Sequence, residues 1–73
     1  MTSEKTAVLR QAKTLAEAKD ISFSAVERPA LDRVIVRLDK GKHHWVNECR
    51  DDEPAGVWLD GLKRGIDYLC RNG

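Results

Sequence analysis

The spacing of apolar residues along this chain changes period twice. Over residues 3–19 it is helical: Val8, Ala12, Leu15 and Ala16 share one face, with Lys5, Arg10, Lys13 and Glu17 largely off it. Ser3 is placed to cap this helix and Glu4 to meet its positive end. The stripe is thin and rich in alanine, so the helix is expected to sit close against whatever it covers. The period then drops to two. Ile21-Ser22-Phe23-Ser24-Ala25-Val26 predicts a half-buried strand with Ile21, Phe23 and Ala25 inward, broken by Pro29. Residues 31–38 predict a second strand, with Val34, Val36 and Leu38 on one face and Arg33, Ile35 and Arg37 on the other. A turn within residues 39–42 leads into a third strand beginning His43-His44-Trp45-Val46.

Helical spacing returns over residues 53–71. Ala55, Leu59, Leu62, Ile66 and Leu69 make the expected buried stripe. Asp51, Asp52 and Glu53 complement the helix dipole, Pro54 fits its first turn, and Asn72-Gly73 is a natural stop. The order is α-β-β-β-α. It predicts a small α+β domain, an antiparallel three-stranded meander packed on one face by two helices, as a single domain over residues 1–73.

The turn leaves two registers open. A two-residue turn at Lys40-Gly41 pairs Val36 with Trp45 and Arg33 with Glu48. A type I turn at Asp39-Lys40, with Gly41 left-handed in a bulge, slips the pairing by one and sets Trp45 beside Ile35 on the arginine face. Such a slip sends every side chain of the third strand to the opposite face. Lysine is a poor first residue for a type I′ turn, which favours the bulge.

Composition narrows the function. A chain of 73 residues buries a modest share of its surface, and dimerisation is one way to gain core. Net charge is +1, which argues against a general polyanion binder. By thirds, residues 1–20 carry +1, residues 21–50 carry +2 and residues 51–73 carry −2. Two cysteines, Cys49 and Cys70, match no zinc or redox spacing, and nothing ahead of them reads as a signal peptide. They predict reduced thiols in a cytoplasmic protein. No apolar run approaches membrane-spanning length.

Candidate chemistry is sparse. His43 and His44 are adjacent on a strand and point to opposite faces, so they do not share a metal ion readily. Ser22, Ser24 and Cys49 have no nucleophile context, and Asp51, Asp52 and Glu53 read as helix caps. We therefore expect no enzyme, metal or cofactor. Double-stranded-RNA-binding domains share the α-β-β-β-α order, but they hold phosphates with basic residues at the start of the last helix, where this chain is acidic.

Two candidate contact faces remain. One is the hairpin, with Arg33 and Arg37 and, in the bulged register, Trp45 among them, an aromatic and arginine patch of the kind that dominates binding hot spots. The other is the last helix, where Trp58, Gly61, Gly65 and Tyr68 share a face. Its glycines fit either close helix-on-sheet packing or a shallow groove for a partner. The partner-binding candidates are thus Arg33, Arg37, Trp45, Trp58 and Tyr68.

Arg10-Gln11-Ala12, Ile21-Ser22-Phe23, Arg33 to Asp39 with a charged glycine turn, Trp45, and Glu53-Pro54-Ala55-Gly56 form a pattern that resembles the small YkfF-like accessory proteins of enterobacterial plasmids and prophages. The resemblance spans residues 10–70 and departs in spacing between Cys49 and Asp52. It implies a compact α+β fold and a mobile-element origin, and it transfers no active site. The expectation is a non-enzymatic protein that binds and modulates or inhibits a host protein, anti-defence inhibitors falling in this class. The alternatives are nucleic-acid binding through the basic hairpin and a homodimer through the glycine face.

Overall fold

The first helix, α1, spans Glu4–Glu17 and starts where its cap predicts. The Ser3 hydroxyl accepts from the Thr6 N–H at 3.1 Å, satisfying one of the helix's unpaired first-turn donors. This computed structural model describes residues 3–72. The end of α1 is equally well defined. Asp20 takes the left-handed conformation (φ 58°), the Ile21 N–H donates to Ala16 C=O at 2.9 Å, and the Asp20 N–H donates to Glu17 C=O at 3.2 Å. This double closure is the usual glycine-ended helix stop, here built on an aspartate. It delivers Ile21 into the core, 2% exposed.

The strands are β1 (Ser22–Arg28), β2 (Arg33–Lys40) and β3 (His43–Arg50), in the antiparallel order β1-β2-β3. The second strand begins two residues later than its alternation predicts. Pro29 to Leu31 form a 3-10 turn and Asp32 is left-handed (φ 51°), which leaves Leu31 exposed outside the strand. The last helix, α2, spans Ala55–Asn72, and its first turn closes on the Pro54 carbonyl. Both helices pack on one face of the sheet, the predicted α+β architecture. No helix among the described residues is long and apolar enough to cross a membrane.

The core is built from Val34, Val36, Leu38 and Cys49 of the sheet, Ala12 and Ala16 of α1, and Trp58, Leu62, Ile66 and Leu69 of α2. Ala12 and Ala16 are fully buried, so the thin stripe does bring α1 close. Ala25 shares the core-facing side but stays exposed at the sheet's edge.

The hairpin takes neither register expected from the sequence. Lys40 pairs with His43 and Leu38 with Trp45, so the loop is Gly41-Lys42. Gly41 has φ 60°, at the first loop position, where a tight hairpin of type II′ demands glycine. Relative to a Lys40-Gly41 turn the pairing slides by two, which preserves faces. Trp45 therefore lies on the core side next to Leu38, and the bulged arrangement beside Ile35 is incorrect.

Candidate interaction surfaces

The helices leave one face of the sheet bare. Register places Val26, Ile35 and Glu48 in one row across it, and Ser24, Arg37 and Val46 in the next. A third row is Arg28, Arg33 and Arg50, one arginine from each strand. Val26 and Val46 are 46% and 52% exposed. An apolar centre is thus flanked by arginines. Three carboxylates temper the charge: Arg33 pairs with Glu48 at 2.9 Å, Arg37 with Asp39 at 3.1 Å and Arg50 with Asp52 at 3.1 Å. Exposed pairs of this kind contribute about 0–1 kcal/mol and mainly hold the guanidinium groups in place. Arg33 also donates to the Leu31 carbonyl at 3.2 Å. Arg28 forms no ion pair among the described residues.

Of the five residues expected to bind a partner, only Arg33 and Arg37 lie on this face. Trp45 is on its reverse, half-buried under α2. Its ring centroid lies 5.5 Å from that of Tyr68, the two planes tilted by 45°. Its indole N–H is buried and makes no hydrogen bond among the described residues. Trp58 is a core residue, not a contact residue: it is 2% exposed, and its Nε1–H donates to the Arg50 carbonyl at 2.8 Å. Lys5 covers its ring, 5.1 Å from the centroid. Tyr68 remains 41% exposed. The sequence places Ile35 beside Arg33 and Arg37, but Val26 and Val46 are not among the expected contacts, because the alternation reads first as an inward set. The signal was three β-branched residues on the outward parity of three successive strands.

The glycine face is filled. A Cβ on Gly65 would lie 2.4 Å from Trp45 Cδ1, and one on Gly61 would lie 2.9 Å from Asn47 Oδ1. These glycines let α2 lie directly on β3, which is the close-packing alternative. A groove floored by Gly61 and Gly65 between Trp58 and Tyr68 does not form, because Asn47 and Trp45 occupy it.

The two thiols differ in kind. Cys49 is buried, and burial pushes its pKa up; a hydrogen bond from Asn47 Nδ2 at 3.3 Å pulls it down in part, while the nearby Glu53 carboxylate raises it. Cys70 is exposed. A thiol reagent is expected to label one cysteine at once and the second only on unfolding. The folded Cys49 keeps its proton to higher pH than the unfolded thiol. Its contribution is therefore intact below the unfolded pKa, about 8.5, and declines as pH rises towards the folded value. Denaturant melts across that range should show a steeper alkaline loss in the native chain than in Cys49→Ala. Equal slopes would remove this assignment.

Among the described residues, no three His, Cys, Asp or Glu side chains gather as a metal site requires. His43 and His44 stand on opposite parities, opposite Lys40 and Asp39 respectively. No family model, curated protein or solved structure matches this chain, so the resemblance to YkfF-like proteins rests on its motifs alone.

Proposed function

We propose that this chain is a non-enzymatic interaction module, a phage- or plasmid-encoded modulator or inhibitor that binds an acidic surface of a host protein through the bare face of its sheet. One observation carries the reading. Val26, Ile35 and Val46 form an apolar strip on a sheet face that neither helix covers, ringed by Arg28, Arg33, Arg37 and Arg50. Four arginines against Asp39, Glu48 and Asp52 leave that face at +1. An aliphatic centre with an arginine rim is the composition of a protein contact, in which desolvation supplies affinity and the rim selects charge.

Nucleic-acid binding is the second reading, favoured by the row Arg28, Arg33 and Arg50 across all three strands. Two of its guanidinium groups are already engaged, Arg33 by Glu48 and Arg50 by Asp52 at 3.1 Å. That weakens the case for phosphate.

The test is capture from a lysate of the bacterial host, comparing the native chain with the double variant Ile35→Glu, Arg37→Glu. Both side chains point away from the core. The variant sets a carboxylate opposite Glu48 and loses the Arg37–Asp39 pair, each costing up to about 1 kcal/mol, so it should melt a few degrees lower and stay folded at the temperature of the assay. A stoichiometric protein retained by the native chain and lost from the variant supports the reading. Equal retention by both sinks it. Salt-sensitive binding to duplex DNA or RNA, lost on Arg28→Ala with Arg33→Ala, would select the second reading instead.

A further inference from the structure

The edge of β3 and the adjoining flank of α2 form a surface that is complementary to itself. Strand alternation sets which backbone groups face outward. The Asp51 N–H donates to the Asp32 carbonyl at 2.9 Å, which continues the pairing of odd-numbered residues with β2. The even-numbered residues of β3 therefore point their N–H and C=O groups away from the sheet. Arg50 is satisfied locally: its carbonyl accepts from Trp58 Nε1 at 2.8 Å, and its N–H donates to Glu53 Oε1 at 3.4 Å. The open stretch is His44, Val46 and Glu48, and its centre is Val46. It contains no proline and no bulge, the devices that usually guard a sheet edge.

The helix above carries a second symmetric pattern. α2 runs antiparallel to β3: Trp58 meets Arg50, Gly61 meets Asn47 and Gly65 meets Trp45. Its flank on the open side of β3 bears Val57, Gly61, Arg64 and Tyr68, spaced i, i+4, i+7 and i+11. A shallow groove joins this flank to the strand edge; its lining includes Glu48, Glu53, Val57, Asp60, Gly61 and Arg64, and Arg64 is paired with Asp60 at 3.3 Å. Turned end for end, the flank exchanges Val57 with Tyr68 and Gly61 with Arg64, about a centre between residues 62 and 63. Val46 lies between the two glycine contacts, opposite residue 63. The centres of the strand and of the helix thus fall at nearly the same place.

We infer that the chain forms a two-fold dimer in which β3 pairs antiparallel with β3 of a second copy and the two α2 helices pack flank to flank. One axis satisfies both elements. It sets Val46 against Val46 and each His44 opposite the other copy's Glu48, a favourable cross-strand pair. About six backbone hydrogen bonds close the seam. On the helix side it buries Val57 against Tyr68. Val46, Val57 and Tyr68 are three of the five exposed large apolar side chains among the described residues. The edge of β1 lacks this self-complementarity, being bordered by a groove with Lys13, Glu17 and Asp20. The dimer joins two sheets into one and presents two copies of the arginine-rimmed face side by side.

Sedimentation and light scattering from micromolar to near-millimolar concentration test it. The native chain is expected to reach twice its 8.3 kDa mass. Val46→Pro removes an outward N–H and spares the ladder to β2, a placement that edge strands tolerate. Val57→Lys forces a charge against Tyr68. Each is expected to weaken association at least about tenfold while the circular dichroism of the monomer stays native. His44→Glu should weaken it too, and adding Glu48→Lys should restore it, a rescue specific to this register. A native chain that stays monomeric throughout overturns the inference, as does a dimer indifferent to Val57→Lys and His44→Glu. Ile35→Glu with Arg37→Glu should leave the dimer intact, so loss of partner capture and loss of dimer are read separately.

Discussion

Trp58→Ala is expected to cost about 3–5 kcal/mol, the usual range for emptying a buried aromatic site. At about 0.05–0.15 kcal/mol per residue, a chain of 73 residues has a total stability of about 4–11 kcal/mol, so the variant stands near unfolding. Three contacts are lost together. The ring fills the core beside α1 and β3, its Nε1–H holds the Arg50 carbonyl, and Lys5 lies across its face while also donating to the Asp51 carbonyl. Trp58→Phe keeps an aromatic ring in the core but loses the hydrogen bond and part of the indole volume, and should cost about 1–3 kcal/mol. Because Arg50 lies at the sheet edge, its freed carbonyl can turn to water. Thermal melts followed by circular dichroism check this, at about 4–8 °C per kcal/mol for a domain this small. An alanine variant that melts within a few degrees of the native chain would return Trp58 to the list of surface contacts.

Trp58 also shows where the sequence stops informing. In α2, two apolar stripes overlap: Ala55, Leu59, Leu62, Ile66 and Leu69 on one side, Trp58, Gly61, Gly65 and Tyr68 on the other. Periodicity centres the buried face on the more aliphatic stripe. The structure rotates the helix between them, burying Trp58, Leu62, Gly65, Ile66 and Leu69. Only the opposing surface decides this, because Trp45 projects from β3 and requires a notch in the helix. The hairpin has the same dependence. A glycine at residue 41 suits a type I′ turn, a bulge or a type II′ turn, and local preference does not choose among them. The Ser3 cap, the inward set Val34, Val36 and Leu38, and the order of elements were legible, because capping chemistry and alternation determine them locally. The bare face follows from the predicted meander with both helices on one side. Which residues of β3 it carries does not, because the hairpin register decides whether Trp45 or Val46 points there.

That notch sets up the second large effect, on Gly65. Alanine normally favours a helix over glycine by about 1 kcal/mol, and at Gly56, where an added Cβ meets nothing within 4 Å, Gly56→Ala should stabilise by up to that amount. At Gly65 the same methyl would lie 2.4, 2.6 and 2.7 Å from Trp45 Cδ1, Nε1 and Cγ. These atoms belong to the root and near edge of a rigid indole, so no small rotation clears them. Either α2 lifts from β3, opening the core at Leu62 and Leu69, or Trp45 leaves its place against Tyr68. Overpacking of this kind costs about 1–3 kcal/mol, enough to outweigh the helix preference. Gly61→Ala is the intermediate case, since its obstacle is the movable amide of Asn47. The decisive measurement is a double-mutant cycle. In the native background Gly65→Ala should destabilise, and in a Trp45→Ala background it should stabilise, because the methyl then enters the space the indole vacates. The same sign in both backgrounds would mean that α2 does not rest on Trp45. A change of sign would establish that Gly65 is there to seat this one side chain.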